Sequence, residues 1–320
     1  MSTVGAAARA RDDRVVRRTR GGFHAAQRRR PWWLLTPTLV IMAVLMAWPL
    51  GRVVWLSFQQ YGLREINRGT TNWVGFDNYK EILGDGYLWR TVLPNTVGFA
   101  LGCVVATVAL GTLVALFLKT LPVGPRYLAA GAIMVAWAVP AITGTYVWVF
   151  LFDPGDGLVT HLLGGLGLIE TGQVNWFLDR GSFFLIAGLN VVHHGFPFVA
   201  VTVLAGLLTV PDELYEAATI DGAGAWRRFW SVTVPVLKPV FAVVTILSTI
   251  WDFKVFTQIF LMPGGGGTNK DVFNLGVWSY ISSFGQGKYG LGSAIAVLLT
   301  LLLLAITAVY LRTLFAEEEL

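Results

Sequence analysis

Ser248 and Asp252 stand four residues apart, as do Asn190, His194 and Phe198. Residues at that spacing share one face of a helix. Both sets lie in long, otherwise apolar stretches, where ionisable and polar side chains are costly and mark function. A carboxylate, an imidazole and an aromatic face together suit the hydroxyls and the apolar face of a sugar ring. Gly195 and Pro197, in the same stretch as His194, allow close approach of a neighbour or a local break. Each residue also has a plainer reading. Asp252 pairs with Lys254 or with a partner chain, His194 is hydrogen-bonded between helices, and Phe198 is packing. Their joint pattern on two apolar segments favours the lining of a pathway.

No reactive constellation accompanies them. H-E-x-x-H and G-x-S-x-G are absent. The run Gly264-Gly265-Gly266-Gly267-Thr268-Asn269-Lys270 lacks the G-x-x-x-x-G-K-[ST] order and reads as a turn. His193 and His194 point about 100° apart on a helix and do not readily share a metal. The single cysteine, Cys103, sits within an apolar run and reads as packing. The chain is expected to be non-catalytic, with no metal site and no cofactor of its own.

The segment 210–237 reads as a device. Pro211 suits a first helical turn, and Asp212 and Glu213 favour the positive end of the helix dipole. Glu216, Ala217, Ala218 and Asp221 continue a short helix. Gly222 suits its end, where a left-handed residue is common. Trp226, Phe229 and Trp230 fall on one face of a second piece. Ala217 and Ala218 present a thin surface able to enter a partner's cleft, and Glu216 offers a carboxylate to a basic group there. The alternative is an interfacial helix that only caps the bundle.

Helices must position these groups. Crossing about 30 Å of hydrocarbon takes about 20 residues. Segments 31–51, 91–118, 127–152, 181–211 and 289–311 contain no Asp, Glu, Lys or Arg, and 239–262 is broken only by Asp252 and Lys254. Six spans are predicted, at 32–58, 94–118, 127–152, 183–209, 238–262 and 289–314. No period-2 alternation favours a barrel, and each span must satisfy its own backbone hydrogen bonds. Pro140 and Pro197 fall inside spans. Gly98 and Gly102 form a GxxxG pair that permits close helix approach. The expected fold is all-α, a polytopic membrane protein with six transmembrane helices.

Composition agrees. The chain is 55% hydrophobic and 13% charged, against about 25% charged in soluble domains. Disorder is excluded, and a lone cysteine excludes a disulfide scaffold. The net charge of +5 is concentrated in residues 1–30, which hold nine arginines. The positive-inside rule places that tail in the cytoplasm, and an even span count returns the C-terminus there. Loops 59–93, 153–182 and 263–288 then face outward, and 119–126 and 210–237 inward. The tail lacks interleaved aromatics, so no nucleic-acid partner is expected. It is a topology signal, or additionally touches anionic lipid of the bilayer. The first apolar segment is too long for a cleaved signal peptide and is expected to remain as a span. The organisation expected is a basic, disordered cytoplasmic tail (1–30), a first span with its outer loop (31–93), a five-helix core (94–315) with the cytoplasmic loop 210–237, and an acidic cytoplasmic C-terminus (316–320).

Residues Glu216, Ala217, Ala218, Gly222, Val232, Val234 and Pro235 resemble the signature E-A-A-x-x-x-G-x9-I-x-L-P of permease subunits of ABC importers. Val74-Gly75-Phe76-Asp77-Asn78-Tyr79, Asn95-Thr96, the segment 213–223 and Tyr289-Gly290-Leu291-Gly292-Ser293-Ala294 are similar to carbohydrate importers of the maltose-permease type. The likeness covers about 32–315. It implies the type I ABC importer permease fold in a bacterial plasma membrane, with both termini cytoplasmic. It also implies a second permease subunit, an ATPase homodimer carrying ATP and Mg, and an extracytoplasmic solute-binding protein. The loop around Glu216 would then be the coupling helix that docks into the ATPase. Gly195 and Ser248 match positions of the family's sugar site. Asp252 stands where the maltose type has an amide and Phe198 where it has a tyrosine, which implies a different sugar. A disaccharide or short oligosaccharide, amino sugars included, is the class implied. The competing readings are a stand-alone secondary transporter, which needs inverted repeats, and a polytopic membrane enzyme, which needs a reactive cluster.

Overall fold

The computed structural model describes residues 34–316 apart from 171, 264, 265 and 267. The basic tail (1–30), the last four residues of the acidic C-terminus and most of the glycine run lie outside the described residues. Two units are distinguished, residues 1–55 and 56–320. In the first, helix α1 (Leu34–Ser57, which ends in the second unit) is long and apolar enough to cross a membrane, with Arg52 its one charged residue.

The second unit opens with a two-residue antiparallel ladder. β1 (Gln59–Gln60) pairs with β2 (Asn72–Trp73), Gln59 opposite Trp73 and Gln60 opposite Asn72. The short helix α2 (Leu63–Arg68) lies between them and α3 (Asp77–Gly84) follows. The rest is helical. Helices α4 (Leu88–Thr120) and α8 (Arg180–Leu207) are long enough and apolar enough to cross a membrane. So are the segment 238–261, made of α11 (Lys238–Phe253) and α12 (Thr257–Leu261), and the start of α14 (Tyr289–Ala316). The short helix α13 (Leu275–Tyr280) precedes α14.

The third predicted span is not one helix. Residues 127–152 divide into α5 (Val123–Trp137) and α6 (Ala141–Leu151), bent by 91° at the break. Pro140 caps α6 and donates no hydrogen bond, and it biases the preceding residue away from helical geometry. Five helical segments among the described residues are thus long and apolar enough to cross a membrane, and six if the bent pair is one span. A further helix, α7 (Leu158–Gly165), leads toward α8, whose first turn is capped by the Asp179 carboxylate accepting from the Gly181 and Ser182 amides. Pro197, by contrast, sits inside a continuous α8.

Helices α4 and α8 pack against each other along most of their length. The close approach is not at Gly98 and Gly102, where a Cβ would meet nothing within 4 Å. It is at Gly111, where a Cβ would fall 2.6 Å from Val199 Cβ, and at Gly195, where it would fall 3.0 Å from Thr107 Cγ2. The GxxxG spacing is there, but on the outer flank of the pair.

The two ends of this pair are tied differently. At one end the Asn95 side chain donates to the Asp271 and Phe273 carbonyls (2.9 and 2.8 Å) and accepts twice from the Arg180 guanidinium (3.0 and 2.6 Å). Thr96 Oγ1 accepts from the Leu275 amide at 2.9 Å. At the other end Arg126 donates to the Leu118, Lys119 and Leu121 carbonyls. That satisfies the orphan C-terminal carbonyls of α4 with a favourable charge.

Candidate functional site

The apolar core falls into two clusters. One, with Ile82, Phe183, Ile186, Ile259 and Phe273, gathers toward the Asn95 end. The other, with Ala115, Leu118, Val203, Leu207 and Val244, gathers toward the Arg126 end. Along α4 they meet between Cys103 and Ala115, and along α8 between Val191 and Val199. The polar residues occupy that gap or, for Asn190, border it. Thr107, Thr112, Asn190, Ser248 and Asp252 are all buried. In each, a side-chain oxygen or nitrogen lacks a hydrogen-bond partner: Thr107 Oγ1, Thr112 Oγ1, Asn190 Nδ2, Ser248 Oγ and Asp252 Oδ2. Each such group is costly, about 1–3 kcal/mol. A row of them halfway along transmembrane helices is retained where water or a ligand supplies the partners.

A cavity of about 330 Å³ opens beside this row. His194 and Gly195 of α8 and Asp252 of α11 line it together. Asp252 forms no ion pair with Lys254 among the described residues. Lys254 instead lines the cavity at the break between α11 and α12, a stretch not helical over 255–256. Interrupted backbone at membrane depth is tolerated where it borders a cavity or is buried in protein. The freed Val255 carbonyl accepts from Asn274 Nδ2 at 2.6 Å.

Phe198 does not reach the cavity. It lies behind two of its walls, with ring centroids 5.1 Å from Trp251 and 6.0 Å from Trp137. Asn190 and Ser248 are buried outside the lining set. Trp137, Trp251 and Gln258 line the cavity without having stood out in the sequence, and Lys254 lines it although the sequence offered it only as a partner for Asp252. Trp137 sits where the third span bends, so its place follows from the break at Pro140. Gln258 is a buried polar residue within an apolar span, a signal the helical spacing from Asp252 alone does not carry.

The hairpin sits at the Arg126 end. Helix α9 (Asp212–Ile220) ends at Gly222, whose φ of +76° is the left-handed conformation. The Ala223 amide donates back to the Ala218 carbonyl at 2.9 Å, closing the end. Helix α10 (Ala225–Arg228) follows and runs through a wider turn at Phe229–Thr233. Tyr215 fastens the hairpin. Its hydroxyl meets Thr233 Oγ1 at 3.0 Å, and Lys119 Nζ lies 4.3 Å above its ring. Lys119 also stands 4.0 Å from the Asp212 carboxylate. Arg228 donates to Thr219 Oγ1 across the bend at 2.9 Å.

Nothing in α9 is buried. Glu216, Ala217 and Asp221 are exposed, and Ala218 is half-buried. Ile220 is 86% exposed and Trp226 75%, a large apolar outlay for a free surface. The rings of Trp226, Phe229 and Trp230 contact one another, as their spacing predicts.

Comparison with known proteins bears on the whole chain. Residues 125–317 match the family described as "Binding-protein-dependent transport system inner membrane component". The chain is 38% identical to the diacetylchitobiose uptake system permease protein DasB of Streptomyces coelicolor, over 95% of each chain. It is 32% identical to the trehalose transport system permease protein SugA of Mycobacterium tuberculosis, over 88% of this chain and 87% of that one. A chain of a bacterial ABC transporter "involved in the import of the acidic polysaccharide alginate" has the same fold, with a TM-score of 0.74 at 20% identity over 89% of this chain and 95% of that one. Helical spans, an EAA-type hairpin and full-length relatives named as permeases agree: the chain belongs to the family of binding-protein-dependent transport system inner membrane components, the membrane-embedded, non-catalytic permease subunits of ABC importers.

Proposed function

We propose that this permease, with a second permease subunit, forms the path of an ATP-driven importer for a short saccharide, and that the midplane cavity is its half of the sugar site. The observation that carries the reading is the convergence of His194, Gly195 and Asp252 on one cavity, beside a row of buried groups with unmet hydrogen bonds. A polyhydroxylated ligand can meet donors and acceptors in such a row. The relatives are named for diacetylchitobiose and trehalose uptake, which supports a disaccharide-sized cargo. Asn190 and Ser248 border the path, and Phe198 positions Trp251 and Trp137. Replacing Asp252 with Ala should lower uptake about 10–100-fold, the cost of one charge-assisted hydrogen bond. Yield of the assembled complex should be unchanged. Wild-type uptake by the Asp252→Ala variant would overturn this site.

The hairpin is the handle by which a separate ATPase homodimer moves the permease. Glu216, Ala217, Ala218, Asp221 and Gly222 meet the ATPase, and ATP and Mg bind there and not to this chain. An extracytoplasmic binding protein delivers the sugar to the opposite face. Exposure of the Ala217 surface and of Ile220 supports the docking role. The arginine-rich tail supports cytoplasmic termini, with the hairpin on the same side. Closure of the ATPase on ATP then biases a rigid-body switch between inward-open and outward-open states.

A further inference from the structure

The end of the bundle opposite the hairpin holds a separate cavity of about 410 Å³. It is bounded by α3, α13 and the start of α14. Ser282 lines it, 1% exposed, with an Oγ that has no hydrogen-bond partner. Glu81, Asp85, Lys270 and Lys288 also line it. These are carboxylates and ammoniums in equal number, and none is ion-paired among the described residues. Net charge therefore selects neither an anion nor a cation. Trp278 supplies an aromatic wall, braced edge-on by Tyr87 with ring centroids 5.6 Å apart. The Tyr87 hydroxyl donates to the Lys270 carbonyl. Burial, then the Asp271 and Asp85 carboxylates, push its ionisation far above the ordinary phenol range. It stays a protonated donor and a rigid brace.

The volume falls within the range of small-molecule sites, about 300–1,000 Å³. With no net-charge preference in the lining, the features that remain to select a ligand are donors and acceptors together and an apolar face that can lie on an indole. We propose that this outer cavity is a second saccharide site, holding one sugar ring, separate from the midplane cavity. The choice of a sugar over another neutral polyol rests on the import reading above. In the orientation proposed there the cavity faces the extracytoplasmic side. Helix α13 separates the two cavities. Its Tyr280 packs on Phe256 at 5.3 Å, and Phe256 lines the midplane cavity, while Trp278 lines the outer one. A ring bound outside would brace the helix that backs the inner wall.

The test uses the assembled importer in lipid nanodiscs, with glucose and N-acetylglucosamine as probes in equilibrium dialysis. Two classes of site are expected. Ser282→Ala should weaken one class about tenfold and leave the other, which Asp252→Ala should remove. Gln286→Ala, at the exposed rim of the same cavity, should weaken the first class too and serves if Ser282→Ala fails to assemble. A single class, lost in Asp252→Ala and indifferent to both outer substitutions, overturns the outer site and leaves the import reading intact. Absence of binding by either probe also overturns it, and uptake by the Asp252 variant then judges the import reading separately.

Discussion

Asn95 shows how much one side chain can hold. It joins α4 to α8 through Arg180 and to the approach to α13 through two carbonyls. Asn95→Leu keeps the volume and removes every one of these bonds. The buried groups left unmatched should cost about 1–3 kcal/mol each. A lower unfolding midpoint and faster amide exchange over 271–275 are expected, and an unchanged midpoint would refute the latch. Asp153 makes a smaller, pH-dependent contribution. Amides of Asp156 and then Gly155 donate to its carboxylate and hold its pKa below the ordinary 3.8. A depressed carboxylate stabilises above its unfolded value, and the contribution is lost as pH falls through the folded one. Exchange of the Gly155 and Asp156 amides should therefore quicken only below about pH 4. Site residues were partly legible at this scale. Asp252, His194 and Gly195 stood out as polar or small residues in apolar segments. Trp137 and Trp251 did not, since an aromatic residue in a membrane helix is ordinary until its neighbours are known.

Elements add what spacing cannot. Gly222 was legible as a helix end because few other residues accept positive φ, and it adopts +76°. Gly222→Val strains that turn by about 1–2 kcal/mol, and its Cβ meets no neighbour, since nothing lies within 4 Å of that position. The variant should insert and assemble, yet hydrolyse ATP with sugar uptake reduced several-fold per ATP. A wild-type ratio of uptake to hydrolysis in both Gly222→Val and Glu216→Ala would remove the coupling role. The bend at Pro140 is the opposite case. A proline announces a possible kink, but the 91° angle depends on packing, and Pro197 in α8 produces no break at all. Gly98 and Gly102 likewise satisfy a motif without making the contact. The partner helix crosses at Gly111 and Gly195 instead.

At the scale of the molecule, the chain has apolar spans, cavities and an exposed hairpin, and as a non-catalytic permease subunit it depends on a separate ATPase for its drive. Purified permease in vesicles should move no sugar until the second permease subunit, the binding protein and the ATPase with ATP are all supplied, and uptake by the permease alone would return the protein to the class of stand-alone transporters. Residues 1–28 lie outside the matched family segment, 125–317. Their deletion should leave uptake within about twofold of wild type if arginine serves only to set topology. Loss of uptake in correctly inserted protein would show that the tail has a further role.

The apolar segments, their helical form apart from the break in the third, and the hairpin with its glycine end were settled by the sequence. Each depends on local terms: the length of an uncharged run, backbone satisfaction in lipid, and the few residues that tolerate positive φ. Tertiary structure alone decided which polar residues share a cavity, where α4 and α8 touch, and which proline bends its helix. Those outcomes turn on contacts between segments tens of residues apart, and helical periodicity says which residues share a face but not what that face meets.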